Sequence, residues 1–222
     1  NFLGKPVVVR GVAASQTIIQ GTGGQSLSVV RFSGGEPAIA ALERVTVRNG
    51  TTGTPAVDFP SVLVGGGLYA YQSSASARDC VFENNSAGFG GGAYFRLSTG
   101  QVSNCTFRNN AAASDGGGLQ LSSSAIHLSD TVVEQNQCNS RGGGMHIVEG
   151  NSRLLRTTIR NNVSNNIVGG VSWAPVGVAT AFLQIEGSSI TGNVALVVQG
   201  GLGVLADGQA SKVSLLNSTA CN

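Results

Sequence analysis

The sequence predicts an all-β protein with the fold of a right-handed parallel β-helix, and three observations lead to this fold class. Clusters of glycine recur along the chain with a spacing of about 26 residues. A second motif, which ends in a pair of asparagines, keeps the same period. Apolar residues occupy alternate positions within both motifs, as they do in β-strands. A period of this length, built from short strands, is typical of solenoid coils that stack about 4.8 Å apart.

The glycine clusters mark one turn of each predicted coil. Glycine permits the tight turns and the close approach of neighbouring coils that a solenoid requires. In the segment after each cluster, two inward-facing apolar residues flank one residue that is predicted to face outward. The six copies are Gly65–Leu68, Gly90–Ala93, Gly116–Leu119, Gly142–Met145, Gly169–Val171 and Gly200–Leu202.

The second motif sets the register in which the coils stack. It reads CVFENN at 80–85 and CTFRNN at 105–110, and weaker copies follow. One predicted inward column is Phe82, Phe107, Val133, Ile159 and Ile190, and another is Ala77, Val102, Leu128, Leu154, Ile185 and Leu215. A turn column contains Asn85, Asn110, Asn136, Asn162 and Asn193. Stacked asparagine amides can hydrogen-bond along the axis, and asparagine tolerates the left-handed conformation of a tight turn.

An outward column of alternating charge supports the same register independently. Each charge in this column would have neighbours of opposite sign in the coils above and below, whereas like charges would repel. Charge was not used to align the repeats, so the alternation is separate evidence for the alignment. The column is Arg48, Glu83, Arg108, Glu134 and Arg160.

The chain is predicted to form a single β-helix domain of about seven coils over residues 1–222. Residues 1–44 are interpreted as irregular first coils and residues 45–222 as regular repeats. The longer insertions, Gly50–Val64 and Pro175–Ala181, are expected to protrude as loops. Because the sequence stops partway through a repeat, we expect it to be part of a longer chain.

Composition argues against several classes of protein. The chain has a formal net charge of +2, and 41% of its residues are hydrophobic, a combination that does not suit a disordered protein. Its 13 lysines and arginines are scattered, whereas nucleic-acid binding requires a basic patch. No apolar run reaches the length of a membrane-spanning helix.

The four cysteines lack any C-x-x-C pair, so a zinc site is not expected. Cys80 and Cys105 occupy the same position in adjacent coils. They are either joined by a disulfide or stacked in the core as small apolar residues. Cys138 and Cys221 have no predicted partner.

Five N-x-[ST] sequons add to the case for a secreted glycoprotein if the host is eukaryotic. Their asparagines are Asn49, Asn84, Asn104, Asn162 and Asn217.

The two recurring motifs resemble the repeats of polymorphic outer-membrane proteins, which contain a G-G-A-[ILV] element and an F-x-x-N element. Gly91-Gly92-Ala93 is close to the first element, and Phe82–Asn85 and Phe107–Asn110 match the second. The other copies drift in both elements, and the resemblance covers roughly residues 45–222. It implies the β-helix fold and, more loosely, display at a cell surface and a role in adhesion.

A candidate binding surface follows from the outward position after each glycine cluster. The stacked tyrosines Tyr69 and Tyr94, beside Gln120 and His146, could receive a sugar, because aromatic rings pack against the apolar faces of sugars. The alternative is an ordinary exposed ladder with no ligand.

Catalytic chemistry has weaker support in the sequence. Asp79 and Asp130 share a column, but Asn104 separates them, so their carboxylates would lie about two coils apart. The two histidines, His127 and His146, are predicted to lie on different faces. We therefore expect no catalytic residue, no metal and no cofactor.

The sequence therefore predicts a non-catalytic, secreted or cell-surface module that acts in adhesion or as a structural component of a surface assembly. Its expected partners are glycans or surface proteins, with further β-helix segments or assembly subunits as another possibility. The alternative is a polysaccharide lyase or hydrolase that acts on acidic glycans, since enzymes of that class share this fold.

Overall fold

In the computed structural model, the chain forms a solenoid of short parallel strands. The structure describes residues 2–22, 27–51, 54–57, 61–176, 181–205 and 212–220. Within these ranges every regular element is a β-strand of two to five residues. Apart from one hairpin, each strand pairs with the equivalent strand of the next coil, so the sheets run along the axis of the solenoid.

Three main sheets form the sides of the solenoid. The first sheet contains Val8–Arg10, Ala41–Glu43, Ser76–Arg78, Thr99–Ser103, Ala125–Ser129, Asn151–Leu155, Phe182–Glu186 and Lys212–Leu216. The second sheet contains Ile18–Gln20, Thr46–Arg48, Val81–Glu83, Thr106–Arg108, Val132–Glu134, Thr158–Arg160, Ser189–Thr191 and Thr219–Ala220. The third sheet contains Val30–Phe32, Leu68–Tyr71, Ala93–Arg96, Leu119–Ser122, Met145–Val148, Val171–Ala174 and Leu202–Val204.

A fourth, narrower sheet lies between the second and third sheets, and the sequence did not predict it. It consists of Ser86–Ala87, Ala111–Ala112, Gln137–Cys138, Val163–Ser164 and Val194–Ala195. The two-residue strands lie in the segment between the asparagine pair and the glycine cluster. An antiparallel hairpin, Thr54–Pro55 with Leu63–Val64, stands apart from the parallel sheets.

The predicted number of coils agrees with the sheets. The third sheet has seven strands in the described part of the chain, and the first and second sheets each have one more. Residues 1–44 contribute four strands that pair in parallel with the following coil: Val8–Arg10, Ile18–Gln20, Val30–Phe32 and Ala41–Glu43. The first coils therefore stack in the same way as the regular repeats.

The hydrophobic core is a set of vertical columns inside the solenoid, and the predicted register is confirmed. Phe82 pairs with Phe107, and their rings stack with centroids 4.6 Å apart and planes 5° from parallel. Val102 pairs with both Ala77 and Leu128. Trp173 is also buried in this core. Burial of each large side chain in such a column stabilises the fold by about 1.5–3 kcal/mol.

The asparagine column forms a continuous, buried hydrogen-bond ladder. The Oδ1 atom of Asn110 accepts from the backbone N–H of Asn85 and from its Nδ2, both at 3.0 Å. The Nδ2 atom of Asn110 donates to the carbonyl oxygen of Phe82 and to Oδ1 of Asn136, both at 2.9 Å. Each amide in the middle of the column is therefore saturated, which is the condition for burying a polar group at low cost.

The left-handed turn residues occupy a different position from the one predicted. Asn85 and Asn110 point inward, and the residues with positive φ are the ones immediately before them, Asn84 and Asn109, each at 54°. The prediction that the ladder asparagines themselves take the left-handed conformation is therefore wrong. The two asparagines of each pair therefore have different roles: the first takes the left-handed turn conformation, and the second forms the hydrogen-bond ladder.

The alternating charge column lies on the outer face of the second sheet, as predicted. The Nη2 atom of Arg108 lies 2.7 Å from Oε2 of Glu83, and Nη2 of Arg160 lies 2.8 Å from Oε2 of Glu134. These pairs are exposed, so each stabilises the fold by about 0–1 kcal/mol. They contribute more to the specificity of the register than to stability.

Removal of one ladder amide should be strongly destabilising. Asn136→Leu deletes the acceptor of two Asn110 donors and the donor to the carbonyl oxygen of Phe107. We expect the free energy of unfolding to fall by about 2–4 kcal/mol, because buried donors and acceptors lose their partners. Urea denaturation would measure this loss. The matched control is Asn109→Gly, which changes an exposed residue in the left-handed conformation. Its free energy of unfolding should remain within about 0.5 kcal/mol of the parent value. Equal losses in both variants would contradict a special role for the ladder.

Candidate functional site

The predicted tyrosine surface is buried, and its prediction as an exposed ladder is wrong. The exposed fractions of Tyr69, Tyr94, Gln120 and His146 are 0%, 7%, 5% and 1%. These side chains do face away from the central core, as the alternation predicted. However, the chain between the fourth and third sheets forms a second layer over them. Parallel bridges in this outer layer join Val64 to Phe89, Arg141 to Val168, and Val168 to Gln199.

The described residues of the first insertion, 54–57 and 61–64, cover the tyrosines instead of protruding freely. Val64 lies in the hairpin, and Ala56 follows its first strand. Both residues form a small apolar cluster with Tyr69 and Tyr94. The backbone N–H of Val57 donates to the hydroxyl of Tyr69 at 3.4 Å. These contacts leave neither ring available to stack on a sugar. In the second insertion, residues 177–180 lie outside the described residues.

Three adjacent residues beneath this outer layer each have a buried polar atom with no hydrogen-bond partner. The atoms are Oε1 of Gln120, Nδ1 of His146 and Oγ of Ser172, and the three residues are register partners in successive coils. Nε2 of His146 lies 4.0 Å from Oδ2 of Asp115. Burial lowers the pKa of His146 to about 4, although the nearby carboxylate of Asp115 acts in the opposite direction. His146 is therefore neutral at pH 7.

The cysteines of the second motif stack as free thiols. The sequence had left open whether they stack in this way or form a disulfide. Cys80 and Cys105 are buried and form no disulfide. A hydrogen bond from the thiol of Cys105 lowers the pKa of Cys80, and burial raises the pKa of Cys105. Burial raises the pKa of Cys138 to about 11. Cys221 lies outside the described residues.

Four of the five predicted glycosylation asparagines are exposed, and one is not. Asn49, Asn84, Asn104 and Asn217 lie at exposed corners of the coils. Asn162 is fully buried in the asparagine ladder, where its Nδ2 donates to Oδ1 of Asn193. The assignment of Asn162 as a glycosylation site is therefore wrong, because its amide is both inaccessible and hydrogen-bonded.

The acidic column at 79 and 130 lies on an exposed corner between the first and second sheets. Asn104 donates through Nδ2 to the carboxylate of Asp79, and Arg156 makes two bonds to Asp130 at 2.6 and 2.7 Å. The bond from Arg156 lowers the pKa of Asp130. A general acid in glycoside hydrolysis needs a raised pKa, whereas the environment of Asp130 lowers its pKa.

One outer row on the first sheet has unused hydrogen-bonding capacity. This central row follows the outer face of the first sheet, and its members are register partners in four successive coils. The row consists of Gln101, His127, Arg153 and Gln184. In the described structure, the side chains of Gln101 and His127 are exposed and have no hydrogen-bond partner.

An open groove lies at one end of the central row. It has a volume of about 300 Å³, and its polar lining consists of Ser74, Ser76, Arg78, Thr99, Gln101 and His127. A hydrogen bond of 2.8 Å joins the hydroxyls of Ser74 and Thr99 along its edge. The groove thus presents hydroxyl, amide, imidazole and guanidinium groups, which suit the recognition of a hydroxyl-rich or anionic ligand.

Arg153 continues this surface beyond the groove. Its Nη2 atom lies 2.6 Å from Oε2 of Glu186, while its Nε atom is buried and has no hydrogen-bond partner among the described residues. The side chain remains 41% exposed. Sequence reasoning missed the central row. The signal was present in the sequence, because each residue of the row immediately precedes a residue of the predicted inward column Val102, Leu128 and Leu154.

Among the described residues, no group of three or more His, Cys, Asp or Glu side chains is close enough to hold a metal ion. The described residues also include no helix that could span a membrane.

The stacked parallel sheets and the vertical ladders of equivalent residues define a solenoid of the parallel β-helix class. The chain belongs to the right handed beta helix region family, whose sequence profile matches residues 38–220. No curated protein and no solved structure matches the chain significantly.

Acid should destabilise the fold through His146. In the unfolded chain a histidine binds a proton near pH 6.5, whereas buried His146 resists protonation until about pH 4. Stability is therefore complete above pH 6.5 and falls by up to about 3 kcal/mol as the pH drops towards 4. Urea titrations at several pH values would measure this dependence. Two charged groups face the imidazole: the carboxylate of Asp115 raises the pKa of His146, and the guanidinium of Arg141 lowers it.

A pair of histidine variants isolates this effect. His146→Gln should remove much of the loss of stability between pH 6.5 and 4, because glutamine does not titrate. His127→Gln changes the exposed histidine of the first sheet and should preserve the loss. If both variants keep the parental pH dependence, His146 is not its source.

The free thiols predict a specific pattern of reactivity. In a Cys221→Ser background, the three remaining cysteines should be inert to a thiol reagent in the native protein, because each is buried. After denaturation without reductant, three thiols per chain should react. Reaction of a single thiol would instead indicate a disulfide between Cys80 and Cys105.

Proposed function

We propose that the chain is a non-catalytic module of a secreted or cell-surface protein, which acts in adhesion or as a structural component of a surface assembly. Its contact surface is the outer face of the first sheet, and its partners are glycans or surface proteins. The observation that carries this proposal is the central row, where Gln101 and His127 offer unpaired hydrogen-bonding groups beside an open groove.

Three other polar rows of the described structure support this choice of surface. The asparagine ladder is buried and saturated, as the bonds of Asn110 illustrate. On the second sheet, arginines pair with glutamates of the adjacent coil. The corner column pairs Asp79 with Asn104 and Asp130 with Arg156. A surface whose groups already satisfy one another gains little from a ligand, whereas an unpaired row can gain new hydrogen bonds.

Two further features support a surface role. The motifs at 82–85 and 91–93 resemble repeats of polymorphic outer-membrane proteins, which occur in bacterial surface adhesins. In addition, four sequon asparagines are exposed at corners, where a glycan would not disturb the stacking of the coils.

The non-catalytic part of the proposal depends on the carboxylates. Glycoside hydrolysis requires two carboxyl groups that flank the scissile bond, one of them with a raised pKa. The carboxylates of Asp79 and Asp130 are each bonded to a neighbouring side chain, and they lie on a corner outside the groove.

The proposal is tested by incubating the protein with a panel of neutral and acidic polysaccharides and with intact cells, and by measuring both retention and the release of new chain ends. We expect retention without cleavage. The double variant Gln101→Ala/His127→Ala should bind about tenfold more weakly or worse, because two hydrogen-bonding groups are lost.

The control is Gln137→Ala, which removes an exposed glutamine from the fourth sheet and should bind like the parent. New chain ends that disappear in Asp79→Asn or Asp130→Asn would overturn the non-catalytic assignment and favour a polysaccharide lyase or hydrolase. Absence of retention on every polysaccharide and on cells would overturn the role in adhesion.

A further inference from the structure

We infer that the structure contains a binding site for one internal water molecule between Gln120 and His146, beneath the outer layer of the third sheet. The inference goes beyond the proposed function, because the site lies on a different sheet and involves neither a glycan nor a partner protein. Three observations lead to it: two buried acceptors occupy equivalent positions in adjacent coils, the coil spacing matches the span of one water molecule, and the row is closed at both ends.

The chemistry of the two side chains requires a ligand that donates twice. Gln120 and His146 are register partners, yet neither Oε1 of Gln120 nor Nδ1 of His146 has a hydrogen-bond partner among the described residues. A neutral imidazole carries a single N–H group. The carboxylate of Asp115 lies 4.0 Å from Nε2 and attracts that proton, which leaves a lone pair on Nδ1. Two acceptors in succession cannot bond to each other.

The asparagine ladder shows the direct bond that this row lacks. Nδ2 of Asn110 donates to Oδ1 of Asn136 at 2.9 Å, because each amide offers a donor to one neighbour and an acceptor to the other. The imidazole of His146 offers Gln120 only an acceptor. An unpaired buried acceptor costs about 1–3 kcal/mol, so a molecule that donates to both atoms stabilises the folded chain.

The spacing of the coils matches one water molecule. Equivalent positions in adjacent coils lie about 4.8 Å apart. A water molecule that donates to two acceptors at about 2.9 Å, through bonds that diverge by about 105°, holds those acceptors about 4.6 Å apart. A direct hydrogen bond is too short for this gap, and a ligand with several heavy atoms is too long. Water that bridges buried polar groups is a regular part of folded proteins.

Bulky groups close the row at both ends. At one end Tyr94, the register partner of Gln120, is 7% exposed and packs in the apolar cluster of the hairpin. At the other end Gly203 follows Ser172, and a Cβ atom at Gly203 would lie 2.4 Å from Cγ2 of Val168. Val168 belongs to the outer layer, which therefore packs directly on the backbone at this point. A water molecule enclosed in this way exchanges with solvent only when the outer layer opens.

The inference is tested in the crystal and in solution with the chain of residues 1–222. A crystal structure that resolves ordered solvent should show a peak within about 2.7–3.2 Å of both Oε1 of Gln120 and Nδ1 of His146. Magnetic relaxation dispersion of water oxygen counts long-lived internal waters in solution. Gln120→Leu removes one acceptor and should lower this count by one water per chain. A site without the solvent peak, or an unchanged count in the variant, would overturn the inference.

The matched control is Thr157→Val, which changes another buried polar residue. The hydroxyl of Thr157 already donates to the carbonyl oxygen of Leu155 at 3.3 Å, so this variant should keep the parental water count. Circular dichroism and thermal unfolding would establish that both variants are folded. Equal losses of water in the two variants would overturn the assignment of the site to Gln120 and His146.

Two measurements on the parent protein do not depend on any variant. Nitrogen NMR of the imidazole should place the proton of His146 on Nε2, and a proton on Nδ1 would overturn the site of two acceptors. Addition of ammonium or potassium chloride should shift the resonances of His146 no more than those of the exposed His127. A selective and saturable shift at His146 would identify a cation as the ligand and overturn the assignment to water.

Discussion

The exact vertical register between coils is the constraint on which the rest of this structure depends. Main-chain hydrogen bonds between parallel strands fix the spacing, but they would permit the coils to slip. The buried asparagine ladder prevents this, because each amide bonds to the amide above and to the backbone below. A slip of one residue would transfer inward side chains to the surface and leave these amides unpaired. The aromatic stack of Phe82 and Phe107 and the alternating charges of the second sheet conform to the register that the ladder enforces.

Regular stacking also decides which surface remains available for a ligand. When each coil repeats the previous one, polar groups pair with their own equivalents or with opposite charges, and such rows have little capacity left. The central row departs from this pattern, since Gln101, His127 and Arg153 are neither identical nor complementary. Gln101 and His127 consequently have no hydrogen-bond partner in the described structure, and both lie beside a groove. In a solenoid, a break in the vertical complementarity of side chains is a physical indication of where a partner can bind.

The sequence predicted the direction of side chains well and the burial of the outer face poorly, because alternation in a strand reports only which way a side chain points. Alternation in a strand shows that Tyr69 and His146 point away from the core, and they do. It contains no information about whether another segment folds back over that face. The hairpin and the outer bridges at Val168 create this second layer, so residues expected at the surface are buried. Likewise, a sequon at Asn162 cannot reveal that its amide belongs to a buried ladder.

The sequence by itself determined the coil period, the inward columns, the asparagine ladder and the charge alternation, because each depends on contacts between equivalent positions in neighbouring coils. Tertiary structure alone decided that the cysteines stack without a disulfide, that the tyrosines are covered, and that the open polar groups lie on the first sheet. These features depend on side-chain direction and on contacts between non-equivalent segments. A repeat in sequence specifies how a coil meets its copy, and only the folded chain specifies which of its faces meets the solvent.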